Sequence, residues 1–254
     1  VHGGPLAALV PVLVLGCSPF WAVNAVSGLE TPAATLSVII AAALSVELPG
    51  GRRPWLAGLA WGVSYLLRPE ALLFAAITAV WALARGLIAR RGLGWTLWRV
   101  AQLGLGVLLV AGPYFAWRVS YYGELLPNTL HAKRLPLGFL LRHNGELLAR
   151  HGLFFGAVLA AAAAGALVRR SAPVVYLLLL AAAGAAVSLA VWNNAWMPGH
   201  RLYLTPLCLL LVVAGGLSDA GRGSGAGRGA AARWLGVGAA LATTALCVAS
   251  GLDA

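Results

Sequence analysis

Long apolar runs recur along almost the whole chain, and they constrain its fold more than any other feature. Seven runs are long enough to be membrane spans, because a spanning helix needs roughly 20 mostly apolar residues. They cover residues 5–21, 31–48, 100–117, 153–168, 173–192, 202–217 and 234–252. With 61% hydrophobic and 10% charged residues, the chain has too few charges to cover a soluble surface. The sequence therefore predicts an all-α polytopic membrane protein.

An eighth apolar run, residues 55–84, is too long for one simple span and is interrupted by Arg68-Pro69-Glu70. A proline and two charges at mid-membrane would be costly on a lipid-facing helix. We therefore expect a pair of short helices that meet at this charged corner (residues 68–70). Residues 1–254 are predicted to form a single transmembrane domain with about seven spanning helices, this helix pair and one interfacial amphipathic helix.

The chain has a net charge of +11, and the positions of its basic residues orient the spans. The basic residues lie between apolar runs, where they mark the cytoplasmic side and predict no nucleic-acid partner. Those assigned to the cytoplasm are Arg52, Arg53, Arg85, Arg90, Arg91, Arg99, Arg169, Arg170, Arg222, Arg228 and Arg233. Residues 218–233, rich in Gly and Arg, are interpreted as a flexible cytoplasmic linker. The charged corner then faces outward, on the extracytoplasmic side of the membrane.

The longest outer loop is predicted over residues 120–151, and its second half has the pattern of an amphipathic helix. The leucines predicted to share one stripe are Leu140, Leu141, Leu147 and Leu148. Glu146 can pair with Arg142 and with Arg150 at four-residue spacing. We expect a helix lying in the membrane interface; a solvated amphipathic connector is the alternative.

Four polar clusters lie at the predicted outer ends of spans. They cover residues 27–32, 67–70, 121–133 and 196–201. Each combines a Pro or Gly with a charge that would be costly in the membrane unless it were paired or hydrated. Non-helical backbone at this depth is tolerated where it lines a cavity or is buried in protein. The four clusters therefore predict one shared polar cavity that opens outward.

Each cluster also has a simpler structural interpretation. Glu30 can start the helix that follows it, because an acid is favoured at a helix N-terminus. Arg68 and Glu70 can form an internal ion pair that braces the corner. The basic residues 133–134 can snorkel to lipid headgroups, and residues 200–201 can anchor a span at the interface.

Taken together and in this order, the clusters resemble a bacterial family of polytopic glycosyltransferases with the GT-C superfold. Its nearest named relatives are the actinobacterial terminal β-(1→2)-arabinofuranosyltransferases. The clusters are similar to family patterns of the type SGLETP, RPEG, YYGxxLPNTxYAK and GDxMPGxR, and the resemblance covers residues 21–217. The chain departs from these patterns at Ala195, where the family has an acid, at Asn193 and Asn194, which replace glycines, and at His131, which replaces a tyrosine.

The resemblance implies an inverting glycosyltransferase that moves a sugar from a polyprenyl-phosphate donor to an extracytoplasmic acceptor, such as a cell-envelope glycan. Fixed cations suit the charge that develops on the departing phosphate. The residues implied to bind the donor phosphate are Arg68, Lys133, His200 and Arg201. The residues implied to bind sugar hydroxyls are Asn128 and His131.

The expected catalytic base is an Asp of the family's first outer loop, which would lie upstream of Val1. The chain is thus interpreted as a piece of a longer protein, with a cleaved signal peptide as the alternative. The acids within the chain that are candidates for the same role are Glu30, Glu70 and Glu124. The residues present do not support a metal or other cofactor, and a divalent metal would need acids of that upstream loop.

Two other functions fit the same sequence. The first is a non-enzymatic carrier or flippase for a lipid-linked sugar, although transporters place paired breaks in related helices and this chain has one such break. The second is a catalytically silent membrane subunit, which the departure at Ala195 would suit. Both share the expected partners: membrane lipid and an anionic lipid-linked sugar.

Overall fold

The structure is a computed structural model that describes residues 12–16, 19–26, 30–46, 48, 53–123, 136–150, 152–168, 171–190 and 203–215. Within these ranges the chain is helical, with short turns and no β-strand. The helices are α1 (Pro19–Val26), α2 (Thr31–Val46), α3 (Pro54–Leu67), α4 (Ala71–Ile88), α5 (Leu93–Tyr122), α6 (Leu137–Arg150), α7 (Gly152–Val168), α8 (Ala172–Ala190) and α9 (Leu204–Gly215). Residues 12–16 add a further helical turn.

Three of the described helices are long and apolar enough to cross a membrane. They are α4, α5 and, in α8, Ala172–Leu189. Shorter apolar stretches occupy α2, α7 and α9. Within the described residues, an all-helical fold with three helices of membrane-spanning length and composition is therefore confirmed, whereas the bundle of about seven spans stays a prediction. The apolar run at 234–252 and the linker at 218–233 lie outside the described residues.

The interrupted run 55–84 folds as two helices, as the sequence predicts. Pro54 occupies the first helical position of α3, where the missing N–H has no cost. The helix ends at Leu67 because Arg68 precedes Pro69 and takes the extended backbone that a following proline favours (φ −147°, ψ 120°). The N–H of Ala71 then donates to the Arg68 carbonyl at 3.0 Å and begins α4. The charged corner is thus a tight turn between two helices.

The second helix of this pair is longer than expected, since α4 runs 18 residues to Ile88. Its last turn contains Arg85, whose guanidinium lies over the Trp81 ring, 5.9 Å from the centroid. This contact lets the charged residue stay helical beside apolar neighbours. Arg90, at a left-handed φ of 52°, and the backbone bond from Arg91 to the Gly86 carbonyl (3.1 Å) then close the helix.

Helix contacts divide the chain into two compact units: Ala33–Arg134, called here the α2–α5 unit, and Val1–Pro32 with Leu135–Ala254, called the second unit. In the α2–α5 unit, α3 packs on α5 backbone to backbone. A Cβ on Gly58 would meet the Leu103 carbonyl oxygen, and one on Gly106 would meet the Trp55 carbonyl oxygen. Gly58 and Gly62 form a Gly-x-x-x-Gly pattern, which allows membrane helices to approach this closely.

Successive contacts fix the direction of these helices. Gly62 lies against Val110, and the Tyr65 ring is 6.2 Å from the Tyr114 ring. Positions therefore advance together along α3 and α5, so the two helices are parallel, and α4, which connects them in the sequence, runs the opposite way. The same register brings the end of α3, at Arg68, level with the last turns of α5.

Two hydrogen-bond systems, one buried and one partly buried, join the rest of the unit. Trp61 is fully buried and donates from Nε1 to Ser45 Oγ at 3.0 Å. The Ser45 hydroxyl donates in turn to the Ala41 carbonyl at 2.6 Å. Arg99 donates from Nε and Nη2 to the Leu48 carbonyl at 3.0 and 2.7 Å. Polar groups of α2, α3 and α5 are thus satisfied inside an apolar unit.

In the second unit α9 packs against both α7 and α8, and residues 12–16, α7 and α9 share an apolar core. The buried residues of this core are Val14, Val158, Leu204, Leu207 and Leu211. The backbones of α7 and α9 approach closely at one point, where a Cβ on Gly165 would meet the Val213 carbonyl oxygen. Small residues therefore set the helix spacing in this unit too.

The predicted amphipathic helix is present as α6, and the predicted pairing of Arg142 with Glu146 is confirmed at 3.3 Å. The expected stripe is only partly right, because Leu140 is buried whereas Leu141 is 48% exposed. The side chains of Leu147, Leu148 and Arg150 lie outside the described residues. A membrane-interface position for α6 stays a prediction.

Asn144, which is not part of the predicted leucine stripe, holds α6 against α8. Asn144 is fully buried, and its Nδ2 donates to the carbonyls of Ser188 and Leu189 at 3.3 and 3.0 Å. These carbonyls lie in the last turn of α8, where helix geometry leaves them without intrahelical donors. One amide side chain therefore caps α8 and fixes α6 against it.

Candidate functional site

The charged corner forms one end of the α2–α5 unit, and its two charges face each other. Arg68 Nη1 donates to Glu70 Oε1 at 3.0 Å, and the side chains are only 10% and 17% exposed. The ion pair considered from the sequence as a brace for the corner is therefore present. Since the Arg68 charge is matched by a carboxylate, its fitness as the main phosphate-binding cation is reduced.

A second arginine approaches the same end along α5. Arg118 is 8% exposed and belongs to the buried face of α5, together with Leu103 and Ala111. Among the described residues, no carboxylate forms an ion pair with Arg118. Arg118 belongs to none of the four polar clusters of the sequence. The available signal is its spacing, seven residues after Ala111, which returns it to the same helix face.

Aromatic rings surround this end of α5. Trp117 stacks on Tyr121 at 5.7 Å between centroids, and Tyr122 lies edge-on to Tyr121 at 4.8 Å. The Trp117, Tyr121 and Tyr122 side chains are more than half exposed, at 52%, 70% and 55%. Such amphipathic rings favour the level where lipid headgroups meet the hydrocarbon. Gly123, at a left-handed φ of 71°, ends the helix directly after them.

An apolar groove of about 440 Å³ runs between α4 and α5 and is closed at one side by Tyr65 of α3. The residues lining the groove are Tyr65, Leu72, Ala75, Ala76, Ala79, Val100, Leu103, Gly104, Val107, Leu108, Ala111, Gly112 and Phe115. The Tyr65 hydroxyl is the single side-chain polar group in that set. The groove is therefore suited to hydrocarbon, and its volume falls in the range of ordinary ligand sites, about 300–1,000 Å³.

The opposite end of the α2–α5 unit is basic. Arg91 and Arg99 lie over the Trp95 ring at 5.7 and 4.9 Å, and Arg85 lies over Trp81. Arginine stacked on tryptophan is typical of a membrane interface that carries positive charge. The structure thus places three of the arginines that the sequence assigns to the cytoplasm, Arg85, Arg91 and Arg99, around the turn between α4 and α5.

The remaining predicted site residues are only partly described. Glu30 is exposed and directly precedes Thr31, the first residue of α2, as the helix-start interpretation requires. Six candidates lie outside the described residues: Glu124, Asn128, His131, Lys133, His200 and Arg201. The expected convergence of all four polar clusters in one cavity therefore stays a prediction.

In the described part of the chain, no three His, Cys, Asp or Glu side chains form a group that could hold a metal ion. Searches of protein-family models, curated proteins and solved structures find no match to this chain. The chemical features available for a functional interpretation are thus a charged corner, a second buried arginine and an apolar groove that leads to them.

Proposed function

We propose that this protein is a membrane glycosyltransferase of the GT-C type, which uses a polyprenyl-phosphate sugar as donor and an extracytoplasmic glycan as acceptor. The observation that carries the proposal is the combination, at one end of the α2–α5 unit, of buried arginines with an apolar groove between helices of membrane length. A polyprenyl phosphate has the two complementary parts, because it carries an anionic head on a long hydrocarbon chain. The resemblance of the four polar clusters to the GT-C family supports the same class.

The proposed orientation places the charged corner outside a bacterial plasma membrane. Its support is the basic turn between α4 and α5, where Arg91 and Arg99 stack on Trp95. Positive residues favour the cytoplasmic side. Since α3 and α4 meet at the other end of the unit, the corner then faces the outer leaflet. The remaining apolar runs would complete the bundle of about seven spans.

In the proposed reaction, a hydroxyl oxygen of the acceptor attacks the anomeric carbon and the bond from that carbon to the phosphate oxygen breaks. The hydroxyl proton passes to a carboxylate, the anomeric centre inverts, and polyprenyl phosphate leaves. Lys133, His200 and Arg201 would stabilise the charge on the leaving phosphate. Asn128 and His131 would bind sugar hydroxyls.

The proton acceptor in this scheme is a carboxylate, and the candidates for it in the chain are Glu30 and Glu124. Glu70 is better suited to bracing, because its Oε1 already accepts a hydrogen bond from Arg68 at 3.0 Å. A proton acceptor has to be within hydrogen-bond reach of the attacking hydroxyl. That requirement is met more easily by a carboxylate that is not committed to an arginine.

The test is sugar transfer in proteoliposomes that contain the full chain and radiolabelled polyprenyl-phosphate pentoses or hexoses. Arg201→Ala should lower turnover by about 100-fold or more, because one fixed donor to the developing charge contributes roughly 3–4 kcal/mol. Arg142→Ala is the matched control, since Arg142 is 84% exposed and paired with Glu146. Transfer by Arg201→Ala at the wild-type rate would remove this residue from the site.

The same proteoliposomes separate the enzyme from the carrier. An enzyme forms a radiolabelled product with an acceptor present on the outer face. Movement of the labelled donor across the bilayer, with no product formed at any acceptor concentration, would replace the glycosyltransferase proposal with the flippase.

A further inference from the structure

The groove-lining face of α5 ends in a buried arginine. Val100 and Ala111 both line the groove, and Arg118 follows them by 18 and 7 residues. These spacings correspond to about five and two helical turns, so all three residues share one face of the helix. Arg118 therefore lies about one turn beyond Phe115, the last residue of α5 that lines the groove.

No carboxylate among the described residues pairs with Arg118, whereas Arg68 at the charged corner pairs with Glu70. Arg68 is paired with Glu70 at 3.0 Å, whereas no described carboxylate pairs with Arg118, which is 8% exposed. Burial of an unpaired charge is costly. A ligand that supplies an anion at this point would remove that cost, and a phosphate suits the planar fork of a guanidinium.

The groove that leads to Arg118 has the dimensions of a hydrocarbon site. Along α5 it extends from Val100 to Phe115, which is about 22 Å at 1.5 Å per residue. Much of the hydrocarbon core, about 30 Å thick, is covered by this length. Small residues such as Ala76 and Gly104 leave the space between the helices open. A chain lying parallel to the helices would thus be in contact with apolar groups over most of its buried length.

We propose that the groove between α4 and α5 holds the isoprenoid chain of a polyprenyl monophosphate and that Arg118 binds its phosphate. This assignment rests on the proposed glycosyltransferase function and adds a residue to it. The aromatic rings of Trp117 and Tyr121 mark the headgroup level beside Arg118, which is where the phosphate of a membrane-embedded lipid lies. Arg68 then has a structural role, since it holds the corner through Glu70.

A ligand that carries an anion is favoured over a partner helix as the occupant of the groove. A stripe of small residues can also receive a transmembrane helix. Such a helix would fill the groove but would leave Arg118 without a counterion unless it carried an acid at that level. A polyprenyl phosphate satisfies both the apolar groove and the cation with one molecule.

The groove is tested with a photoactivatable polyprenyl phosphate and the full chain in phosphatidylcholine nanodiscs. Gly104→Leu should block the groove, because a Cβ at Gly104 meets nothing within 4 Å and the longer side chain extends into the open space. Gly94→Leu is the matched control, since Gly94 lies on the same helix, also in open space, and does not line the groove. We expect crosslinks to α4 and α5, about 10-fold weaker labelling for Gly104→Leu, and unchanged labelling for Gly94→Leu.

The role of Arg118 in phosphate binding is tested with the same probe. Arg118→Gln should weaken binding of the same probe by about 10-fold or more, as expected for loss of a charge-assisted contact. Arg118→Lys should retain part of the affinity, and Arg142→Gln should retain all of it. If Arg118→Gln does not fold, Arg118→Lys and Gly104→Leu still decide the question, because neither introduces an uncharged group at the buried site.

The outcomes distinguish this inference from the proposed function. If the wild type transfers sugar but crosslinks outside α4 and α5, or if Gly104→Leu binds normally, this inference fails and the glycosyltransferase proposal survives. If the wild type neither binds the probe nor transfers sugar, both fail. Equal competition by phosphatidylglycerol would make the groove a site for anionic phospholipid, and a change of oligomeric state in Gly104→Leu would make it a helix interface. Either result overturns the inference.

Discussion

Removal of the Glu70 charge tests whether an ion pair braces the charged corner. Arg68 Nη1 and Glu70 Oε1 lie 3.0 Å apart, with side chains 10% and 17% exposed. At an effective dielectric constant of about 20, opposite charges at this distance attract by about 5–6 kcal/mol. Desolvation of the two groups offsets roughly half of that attraction. We therefore expect a coupling energy of about 2–3 kcal/mol, above the range of exposed pairs and below that of fully buried ones.

Glu70→Gln removes the carboxylate that faces Arg68 at 3.0 Å, so the free energy of unfolding should fall by about 3 kcal/mol. For a chain of this length, that corresponds to a decrease of about 6–12 °C in Tm. The double variant with Arg68→Gln removes both charges and should recover about 2 kcal/mol of the loss. Tryptophan fluorescence during thermal unfolding in detergent micelles measures all of these proteins. Arg142→Gln breaks an exposed pair and is the control, with an expected loss of less than about 1 kcal/mol.

A Glu70→Gln protein as stable as the wild type would refute the bracing role. So would a double variant that is no more stable than the single one. Sugar transfer per folded molecule, measured on the same samples, separates structure from chemistry. If the double variant regains both stability and transfer, Glu70 is structural; if it regains stability alone, one of the two charges takes part in the reaction.

Three further substitutions test the packing. Gly58→Ala places a methyl group against the backbone of α5 and should lower the free energy of unfolding by about 1–3 kcal/mol. The control is Gly94→Ala, whose methyl group points into open space and should leave Tm unchanged or higher. Equal Tm values for the two variants would contradict the close helix contact. Asn144→Ala removes the donor to the last carbonyls of α8 and should lower the free energy of unfolding by about 1–3 kcal/mol. Amide exchange over residues 137–150 should then be faster than in the wild type. Unchanged exchange would mean that other contacts hold α6. Trp61→Phe removes the bond to Ser45 Oγ and should lower Tm by several degrees, because the acceptor stays buried; a Tm equal to that of the wild type would show that Ser45 finds another donor.

The helix boundaries at the charged corner could be predicted because their causes are local. Pro69 forces the preceding residue out of the helical region, so the end of α3 follows from the sequence itself. The pair of Arg142 and Glu146 is local in the same sense, since four-residue spacing brings the two side chains together on any helix. The possible pairing at the corner was also visible, because Arg68 and Glu70 flank the turn.

The features that escaped prediction depend on how helices are placed against each other. Arg118 is near a helix end, where a charge is expected to be solvated, and its burial depends on the register of α5 against α3. That register is set by the glycines of α3, whose Gly-x-x-x-Gly spacing is visible in the sequence without revealing its partner helix. Asn144 escaped for a similar reason, because its acceptors lie on α8, 44 and 45 residues away along the chain.

The tryptophans near the two ends of α5 are separated by a fixed distance along the α2–α5 unit. Trp95 and Trp117 are separated by 22 residues, or about 33 Å along the helix, close to the thickness of a hydrocarbon core. A bilayer several ångströms thinner would force this helix to tilt in order to keep both rings at their preferred depth. Because α5 also forms one wall of the groove and carries Arg118, such a tilt would move both together. The depth of Arg118, the residue proposed to bind the phosphate, is therefore tied to the thickness of the membrane.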